Sequence, residues 1–89
     1  MMIEKKVIVK IPSGMHIRPA GILAQEASKY KAKASIIYGY HTINVLSILN
    51  IVAGGIQCGD EILLRCHGED EEQLMTKLIE VLEDENITA

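Results

Sequence analysis

The chain has 89 residues, of which 48% are hydrophobic and 24% are charged, and this length predicts one small domain. It contains three tyrosines but neither tryptophan nor phenylalanine, so the core must be built from aliphatic side chains. The net charge of −3 divides into +4 for residues 1–68 (eight Lys/Arg, four Asp/Glu) and −7 for residues 69–89 (one Lys, eight Asp/Glu). Because the basic residues form no run and aromatic side chains are scarce, we expect no binding of nucleic acid.

The first predicted strand lies between residues 6 and 11, where apolar residues alternate with lysines. A Pro-Ser-Gly sequence then breaks the pattern. From Ile17 to about Lys29 apolar residues recur at helical spacing, which predicts an amphipathic helix with Pro19 in its first turn.

A second strand is predicted for residues 32–38, and a tight turn joins it to a short third strand at 41–44. Ser47, a favoured N-cap residue, precedes a short helix that ends at Gly54 and Gly55.

The fourth strand is predicted for residues 61–67, and the last helix begins near Asp70, with acidic residues in its first turn where the helix dipole favours them. The apolar stripe of this helix consists of Leu74, Leu78, Val81 and Leu82. The order β-α-β-β-α-β-α favours helices stacked on one face of a largely antiparallel sheet, an α+β fold.

The sequence has no apolar run of about 18 residues, the length of a membrane span, so we expect no membrane insertion. The N-terminal residues carry charges at Glu4, Lys5 and Lys6 and lack an apolar stretch of 7–15 residues, so we expect no signal peptide in this segment. Cys58 and Cys66 fit no CxxC pattern, and we expect reduced thiols in a cytoplasmic protein rather than a disulfide.

The strongest candidate for chemistry is His16, which, unlike His41 and His67, lies at the start of the first predicted helix. The first N–H groups of a helix have no intrahelical partner and the dipole is positive there, so such an end favours phosphate. Arg18 adds a permanently charged group that suits phosphate oxygens, and an imidazole can act as a nucleophile near neutral pH. The pattern predicts a histidine that accepts and holds a phosphoryl group; the alternative is a histidine that only caps the helix.

Residues 14–20, Gly-Met-His-Ile-Arg-Pro-Ala, resemble the active-site motif of HPr, the histidine-containing phosphocarrier of the bacterial phosphoenolpyruvate-dependent sugar phosphotransferase system. Residues 44–49, with 55–56 and 59–62, are similar to the HPr segment around its regulatory serine. The resemblance covers about residues 3–85. It implies an open-faced β-sandwich over residues 1–89, with a four-stranded antiparallel sheet and three helices on one face.

By position, the resemblance implies that His16 takes a phosphoryl group on Nδ1 from phospho-enzyme I and passes it to a sugar-specific enzyme IIA. Arg18 then neutralises the charge, and Ile17, Pro19 and Ala20 support the site at the helix N-terminus. The protein is expected to be a phosphocarrier with a transient phosphohistidine rather than a stand-alone enzyme, with no cofactor and no metal.

Ser47 matches the serine that a dedicated kinase/phosphorylase modifies in Gram-positive members of the family, which also implies a transcriptional regulator as a partner. Ile48, Leu49 and Val52 resemble the apolar patch through which HPr meets enzyme I and enzyme IIA. The alternatives are that Ser47 only caps its helix and that some of the apolar residues belong to the core. Because so short a helix cannot bury all of its apolar residues, we expect at least one or two to be exposed.

The chain also departs from the family pattern. Ile17 stands where a small residue is usual, Leu46 where many members carry a basic one, and Asn50 and Val52 differ from common Gram-positive forms. The differences at Leu46, Asn50 and Val52 motivate an alternative function, an HPr paralogue that serves mainly a regulatory or non-sugar phosphorelay role.

A further alternative comes from another class of protein, a metal-binding module that uses Cys58, Cys66 and His67. Against it, Cys66 and His67 are neighbours on a predicted strand and point to opposite faces, and no tetrahedral four-ligand spacing is present.

Overall fold

The computed structural model describes residues 2–88, which form four strands and three helices in the predicted order. The strands are β1 (Met2–Ile8), β2 (Lys33–Tyr38), β3 (His41–Asn44) and β4 (Glu61–His67). The helices are α1 (Ile17–Ala27), α2 (Ile48–Ala53) and α3 (Glu71–Leu82). None of these helices is long and apolar enough to cross a membrane.

All four strands belong to one antiparallel sheet in the order β1-β4-β2-β3, with β4 between β1 and β2. Side chains alternate along each strand, so one face of the sheet is buried and the other carries the exposed residues. α3 packs against β1 and β4, α2 packs against β3, and α1 packs against both other helices. The predicted α+β open-faced sandwich is confirmed.

The core is aliphatic, as the composition requires. Pairs such as Val7 and Ile62, or Ile36 and Leu64, lie opposite each other on the covered face of the sheet. The helices add their apolar stripes above this layer, and the largest fully buried side chains are Ile11, Leu23, Ile36, Ile43, Ile51, Ile56, Ile62, Leu64, Leu74, Met75, Leu78 and Leu82.

The first strand differs from its predicted bounds, since β1 starts at Met2 and ends at Ile8. Val9 and Ile11 are fully buried but lie beyond the strand. Val9 still bonds to the segment before β4, because its N–H donates to the carbonyl of Asp60 at 2.9 Å and its carbonyl accepts from the N–H of Gly59 at 2.7 Å. The N–H of Lys10 donates to the carbonyl of Leu82 at 2.8 Å and so leads the chain towards α3.

Asp70, predicted in the first turn of α3, is the N-cap residue of this helix, and its side chain makes no capping bond. Its carboxylate instead accepts hydrogen bonds from the N–H groups of Lys31 (3.0 Å) and Ala32 (2.7 Å), in the connection between α1 and β2. These bonds, first the one from Ala32, lower the pKa of Asp70 below its usual value. One carboxylate therefore ties two distant segments of the chain together.

Cys58 and Cys66 are both free thiols, as predicted. Cys58 is exposed, whereas Cys66 is fully buried in β4 on the covered face of the sheet. Burial, and then the charge of Glu71, raises the pKa of Cys66 to about 11, so this residue remains a thiol at neutral pH.

The anchoring role of Asp70 predicts a pH-dependent stability. Because its folded-state pKa is lowered, its contribution is complete above its unfolded pKa of about 4 and is lost as the pH falls through the folded pKa. Asp70→Asn keeps an acceptor oxygen but no charge. We expect it to be less stable than the wild type at neutral pH and to lose less stability on acidification, in denaturant titrations across the acid range.

Glu72→Gln is the matched control, because Glu72 is an exposed carboxylate in the first turn of the same helix. This variant should follow the wild-type pH dependence. Parallel curves for Asp70→Asn and the wild type would contradict the assignment.

Candidate functional site

The loop that leads into α1 is anchored on the segment that follows α2. The N–H of Met15 donates to the carbonyl of Ile56 at 2.9 Å, and the Met15 side chain is buried. Gly14 has φ of 74°, and a Cβ at this position would lie 2.8 Å from the Ile56 oxygen. Only glycine fits both the backbone conformation and the close approach, so the chain enters α1 at a fixed point.

His16 is the N-cap residue of α1, with extended backbone angles (φ −76°, ψ 179°). Its carbonyl accepts the first helical hydrogen bond, from the N–H of Ala20 at 3.0 Å, but its imidazole makes no capping bond. The residue is exposed, directly after the buried Met15. The backbone of His16 thus begins the helix while the imidazole is left for other chemistry.

The start of α1 offers two backbone donors beside this imidazole. Ile17 and Arg18 occupy the first two helical positions, where an N–H has no partner four residues earlier, and no side chain caps the helix. Pro19 has no N–H, and the next N–H is bonded to His16. The two N–H donors lie at the positive end of the helix dipole, and the exposed side chain of Arg18 adds a full positive charge.

Pro19 and Ala20 are buried, whereas the three residues before them are exposed. These two residues anchor the first turn of α1 on the core, and Pro19 fixes its backbone angle there. Their contribution to the site is therefore to hold the turn rather than to face a ligand.

Next to this helix start lies a surface that we call the α1–α2 apolar surface, formed by Ile17, Leu46, Ile48 and Leu49. Ile17 is 69% exposed and Leu49 78% exposed, and the other two are about two-fifths exposed. A Cβ on Gly21 would lie 3.9 Å from Cδ1 of Ile48, so the two helices touch there. Ile17 precedes Gly21 by one helical turn on the same face, which makes the surface continuous with the start of α1.

Ser47 is the N-cap of α2, as predicted, and its Oγ accepts a hydrogen bond from the N–H of Asn50 at 3.2 Å. Ile51 is fully buried and Val52 is half-buried against the core, whereas Ile48 and Leu49 are exposed. The expectation that one or two of these apolar residues remain exposed is confirmed. Val52 presents less surface than the other two predicted interface residues.

Sequence reasoning did not find the side-chain bonds that hold the connection between β3 and α2. The N–H of Asn44 donates to Oδ1 of Asn50 at 2.8 Å, and Oδ1 of Asn44 accepts from the N–H of Leu46 at 3.0 Å. Asparagines near a helix start commonly bond to nearby backbone, which could have indicated such contacts. The sequence pattern did not indicate that Asn44 and Asn50, six positions apart, are bonded to each other.

A second missed contact fixes the turn before β4, which lies against the loop at Gly14. Oδ2 of Asp60 accepts from the N–H of Gln57 at 2.9 Å and from the hydroxyl of Tyr38. The bond from Tyr38, followed by the one from Gln57, lowers the pKa of Asp60, and the same contact raises the pKa of Tyr38. The carboxylate connects β2 to the segment that supports the candidate site.

The remaining histidines lie apart from the helix start, His41 at the beginning of β3 and His67 at the end of β4. Between Met2 and Thr88, no three His, Cys, Asp or Glu side chains are grouped so that they could hold a metal ion. Cys66 is buried while its neighbour His67 is exposed, so the two point to opposite faces as predicted.

Comparison with known proteins connects this arrangement to one family. The family model "PTS HPr component phosphorylation site" matches residues 3–84. Phosphocarrier protein HPr from Mycoplasma pneumoniae is 36% identical over 83 residues, covering 92% of this chain and 94% of the relative. HPr-like protein Crh from Halalkalibacterium halodurans is 34% identical over 84 residues, covering 94% of this chain and all (100%) of the relative.

Among solved structures, the crystal structure of phosphocarrier protein HPr from Bacillus anthracis superimposes with a TM-score of 0.87 at 31% identity, covering 91% of this chain and 96% of the other. The fold and these matches define a small phosphocarrier of the phosphotransferase system. The chain belongs to the HPr family.

The anchor at Gly14 gives a prediction for stability. Gly14→Ala should destabilise the protein by about 2–3 kcal/mol or more, because the left-handed backbone costs about 1–2 kcal/mol and the new Cβ must also displace the Ile56 backbone. Gly55→Ala is a matched control, since Gly55 also has a positive φ (70°) but has nothing within 4 Å of the added Cβ. It should cost about 1 kcal/mol in denaturant titrations. Equal losses of unfolding free energy in the two variants would show that the loop at Gly14 moves to accommodate the new Cβ and that the contact with Ile56 does not fix its position.

Proposed function

We propose that the protein accepts a phosphoryl group on His16 from phospho-enzyme I and passes it to a sugar-specific enzyme IIA, as a cytoplasmic carrier of the phosphoenolpyruvate-dependent sugar phosphotransferase system. The proposal rests on one observation. The imidazole of His16 is exposed and makes no capping bond, and it lies beside the first two N–H groups of α1 and the side chain of Arg18. Membership of the HPr family supports the same assignment.

In the transfer step, the lone pair of Nδ1 of the neutral imidazole attacks phosphorus. The N–P bond forms as the bond between the phosphoryl group and the donor enzyme breaks. The negative charge of the phosphoryl oxygens then lies against the N–H groups of Ile17 and Arg18 and the positive end of the helix. The guanidinium of Arg18 neutralises part of this charge with two donors in a fixed geometry. The second transfer, to enzyme IIA, reverses these bond changes at His16.

The site suits a carrier rather than a hydrolase. A hydrolase needs a group that positions and activates water for attack on phosphorus. The first turn of α1 contains no acidic residue, so this turn supplies donors and positive charge but no carboxylate base. A phosphoryl group held in this way is stabilised without being exposed to a directed water attack.

The α1–α2 apolar surface is the proposed docking surface for both partner enzymes. Its exposed side chains bury against a partner and bring the phosphoryl donor or acceptor to the start of α1. Each buried square ångström of apolar surface is worth about 25 cal/mol before the costs of association. Because the same surface serves two partners in turn, the complexes must dissociate readily, as an interface built on a few side chains allows.

Ser47 is proposed as a regulatory phosphorylation site for a serine kinase/phosphorylase, with a transcriptional regulator reading the modified form. The residue is half-buried between Leu46 and Ile48, so a phosphate would place about two negative charges beside the apolar surface. Such a charge opposes the docking of an apolar partner surface. It also creates a binding site for a partner that carries basic residues.

A second candidate is a paralogue with a mainly regulatory or non-sugar phosphorelay role. The identity to the HPr-like protein Crh, 34% over that whole protein, is close to the 36% identity to an HPr. Among the departures from the family pattern, Leu46 belongs to the α1–α2 apolar surface and Asn50 is an exposed residue that follows Leu49. Deletion of the gene separates the two candidates. Loss of sugar uptake supports the first, and unchanged uptake supports the second.

Incubation with phosphoenolpyruvate and enzyme I from the same cell tests the proposal. The wild type should acquire one acid-labile phosphate per chain, detected by mass spectrometry at neutral pH, and His16→Ala should acquire none. His41→Ala is the matched control, since His41 is an exposed histidine outside the site, and it should be labelled like the wild type. An unlabelled wild type, or a labelled His16→Ala, would refute the proposal.

The docking surface is tested at Leu49. Leu49→Ala should raise the KM for the protein in phosphoryl transfer by about tenfold, since burying a leucine is worth about 1.5–3 kcal/mol. Stability should change by no more than about 0.5 kcal/mol, because the side chain is exposed in the free protein. The control Ile8→Ala removes another exposed aliphatic side chain, on the open face of the sheet, and should leave KM unchanged. Equal KM values for the two variants would place docking elsewhere.

A further inference from the structure

We propose that Asn50 is a positioning residue for partner docking: its side chain fixes the first turn of α2 to the end of β3 and so sets the direction in which Ile48 and Leu49 face a partner. The inference rests on the proposed function, because it concerns the surface assigned there to enzyme I and enzyme IIA.

The argument begins with the bonds of Asn50 itself. Its Oδ1 accepts a hydrogen bond from the N–H of Asn44, the last residue of β3, at 2.8 Å. Its own N–H donates to Oγ of Ser47 at 3.2 Å. Asn50 therefore closes a ring across the connection between β3 and α2, with its side chain on the strand end and its backbone on the helix cap.

Two further bonds complete this ring, which we call the 44–50 clamp. Oδ1 of Asn44 accepts from the N–H of Leu46 at 3.0 Å, and the carbonyl of Asn44 accepts from the N–H of Ser47 at 3.0 Å. Val45, between them, is fully buried and bonded through its N–H to the carbonyl of Ala34. The clamp is thus attached to the sheet and the core at its strand end.

α2 needs such a clamp because it has few other attachments. It contains only six residues, far fewer than the roughly 12–15 that make an isolated helix marginally stable. Ile51 is its one fully buried side chain among the residues described. Ile51 and the half-buried Val52 attach the second half of this helix to the core, so the orientation of its first turn depends more on the clamp.

Ile48 and Leu49 lie between Ser47 and Asn50, so their orientation depends on the turn that the clamp closes. A docking surface presented in the correct orientation only part of the time binds with an affinity reduced by that fraction. Losing one exposed hydrogen bond of ordinary strength should therefore raise KM by about three- to tenfold and leave kcat unchanged.

Asn50 is exposed, so its side chain could instead contact the partner directly through its amide donor. Two substitutions separate these roles. Asn50→Ala removes both the acceptor and the donor, whereas Asn50→Asp keeps the Oδ1 acceptor for Asn44 and loses the donor. Positioning predicts rescue by Asn50→Asp, and direct contact predicts that both variants are impaired.

The experiment combines three measurements on the full chain. Hydrogen exchange of the Asn44 amide, followed by NMR, reports the clamp. NMR titration with enzyme I gives Kd without requiring transfer, and steady-state transfer from phospho-enzyme I gives KM and kcat. The matched control is Asn86→Ala, which removes an exposed asparagine side chain outside the connection.

In Asn50→Ala we expect the Asn44 amide to exchange about fivefold faster or more, Kd and KM to rise about three- to tenfold, and kcat to stay unchanged. At about 0.5 M salt, which screens the charge that Asn50→Asp adds, Asn50→Asp and Asn86→Ala should behave as the wild type in all three measurements.

Three outcomes would overturn the inference. The first is unchanged hydrogen exchange of the Asn44 amide in Asn50→Ala. The second is faster exchange in Asn50→Ala with unchanged Kd and KM. The third is an Asn50→Asp variant that binds enzyme I as poorly as Asn50→Ala although its Asn44 amide stays protected. A wild type that binds enzyme I without becoming phosphorylated would refute the proposed function, and the Kd values would still decide the role of Asn50. A wild type that does not bind enzyme I would overturn both.

Discussion

The arrangement of the candidate site depends on the contact between the loop before α1 and the carbonyl of Ile56. Met15 bonds to that carbonyl and buries its side chain, and Gly14 lies so close to it that no side chain fits. The exposure of His16 follows, because the chain can emerge from the core only after Met15. Ile56 comes directly after the turn that ends α2, so the same contact connects the start of α1 to the helix that carries most of the apolar surface. One anchor therefore relates His16 to the α1–α2 apolar surface.

Short polar side chains take the role that packing fills in larger proteins. A chain of 89 residues has a thin core, and its connecting segments have little apolar surface to bury. Asp60 and Asp70 each accept a backbone N–H from a connecting segment, and Asp70 reaches across 38 positions in sequence to do so. Asn44 and Asn50 do the same without charge between β3 and α2. These contacts fix the segments that flank the site where regular secondary structure ends.

The order of the elements and the starts of α1, after His16, and of α2, after Ser47, were predictable, because periodicity and helix-start signals are local properties of the sequence. The predicted extension of the first strand through Val9 and Ile11 was wrong for an instructive reason. Alternation reports which side chains are buried, and these two stay buried beyond the strand, where Val9 bonds to Gly59 and Asp60 and the next residue, Lys10, bonds to the end of α3. The role of Asp70 was not predictable either. Its acidic neighbours indicated a favourable helix dipole, whereas its partners are the N–H groups of residues 31 and 32.

The exposure of Ile17 and Leu49 opposes solubility but serves the chemistry proposed at His16. In the free protein, water screens the field of the N–H groups and of Arg18, which limits how strongly a phosphoryl group is held. Docking of a partner on the apolar surface expels water from the same region. The attraction between these donors and the phosphoryl oxygens is strengthened at the moment of transfer. When the partner leaves, water returns and the phosphoryl group is again held only by local charges. An apolar surface beside a small cationic site therefore links partner binding to the electrostatics of the proposed transfer.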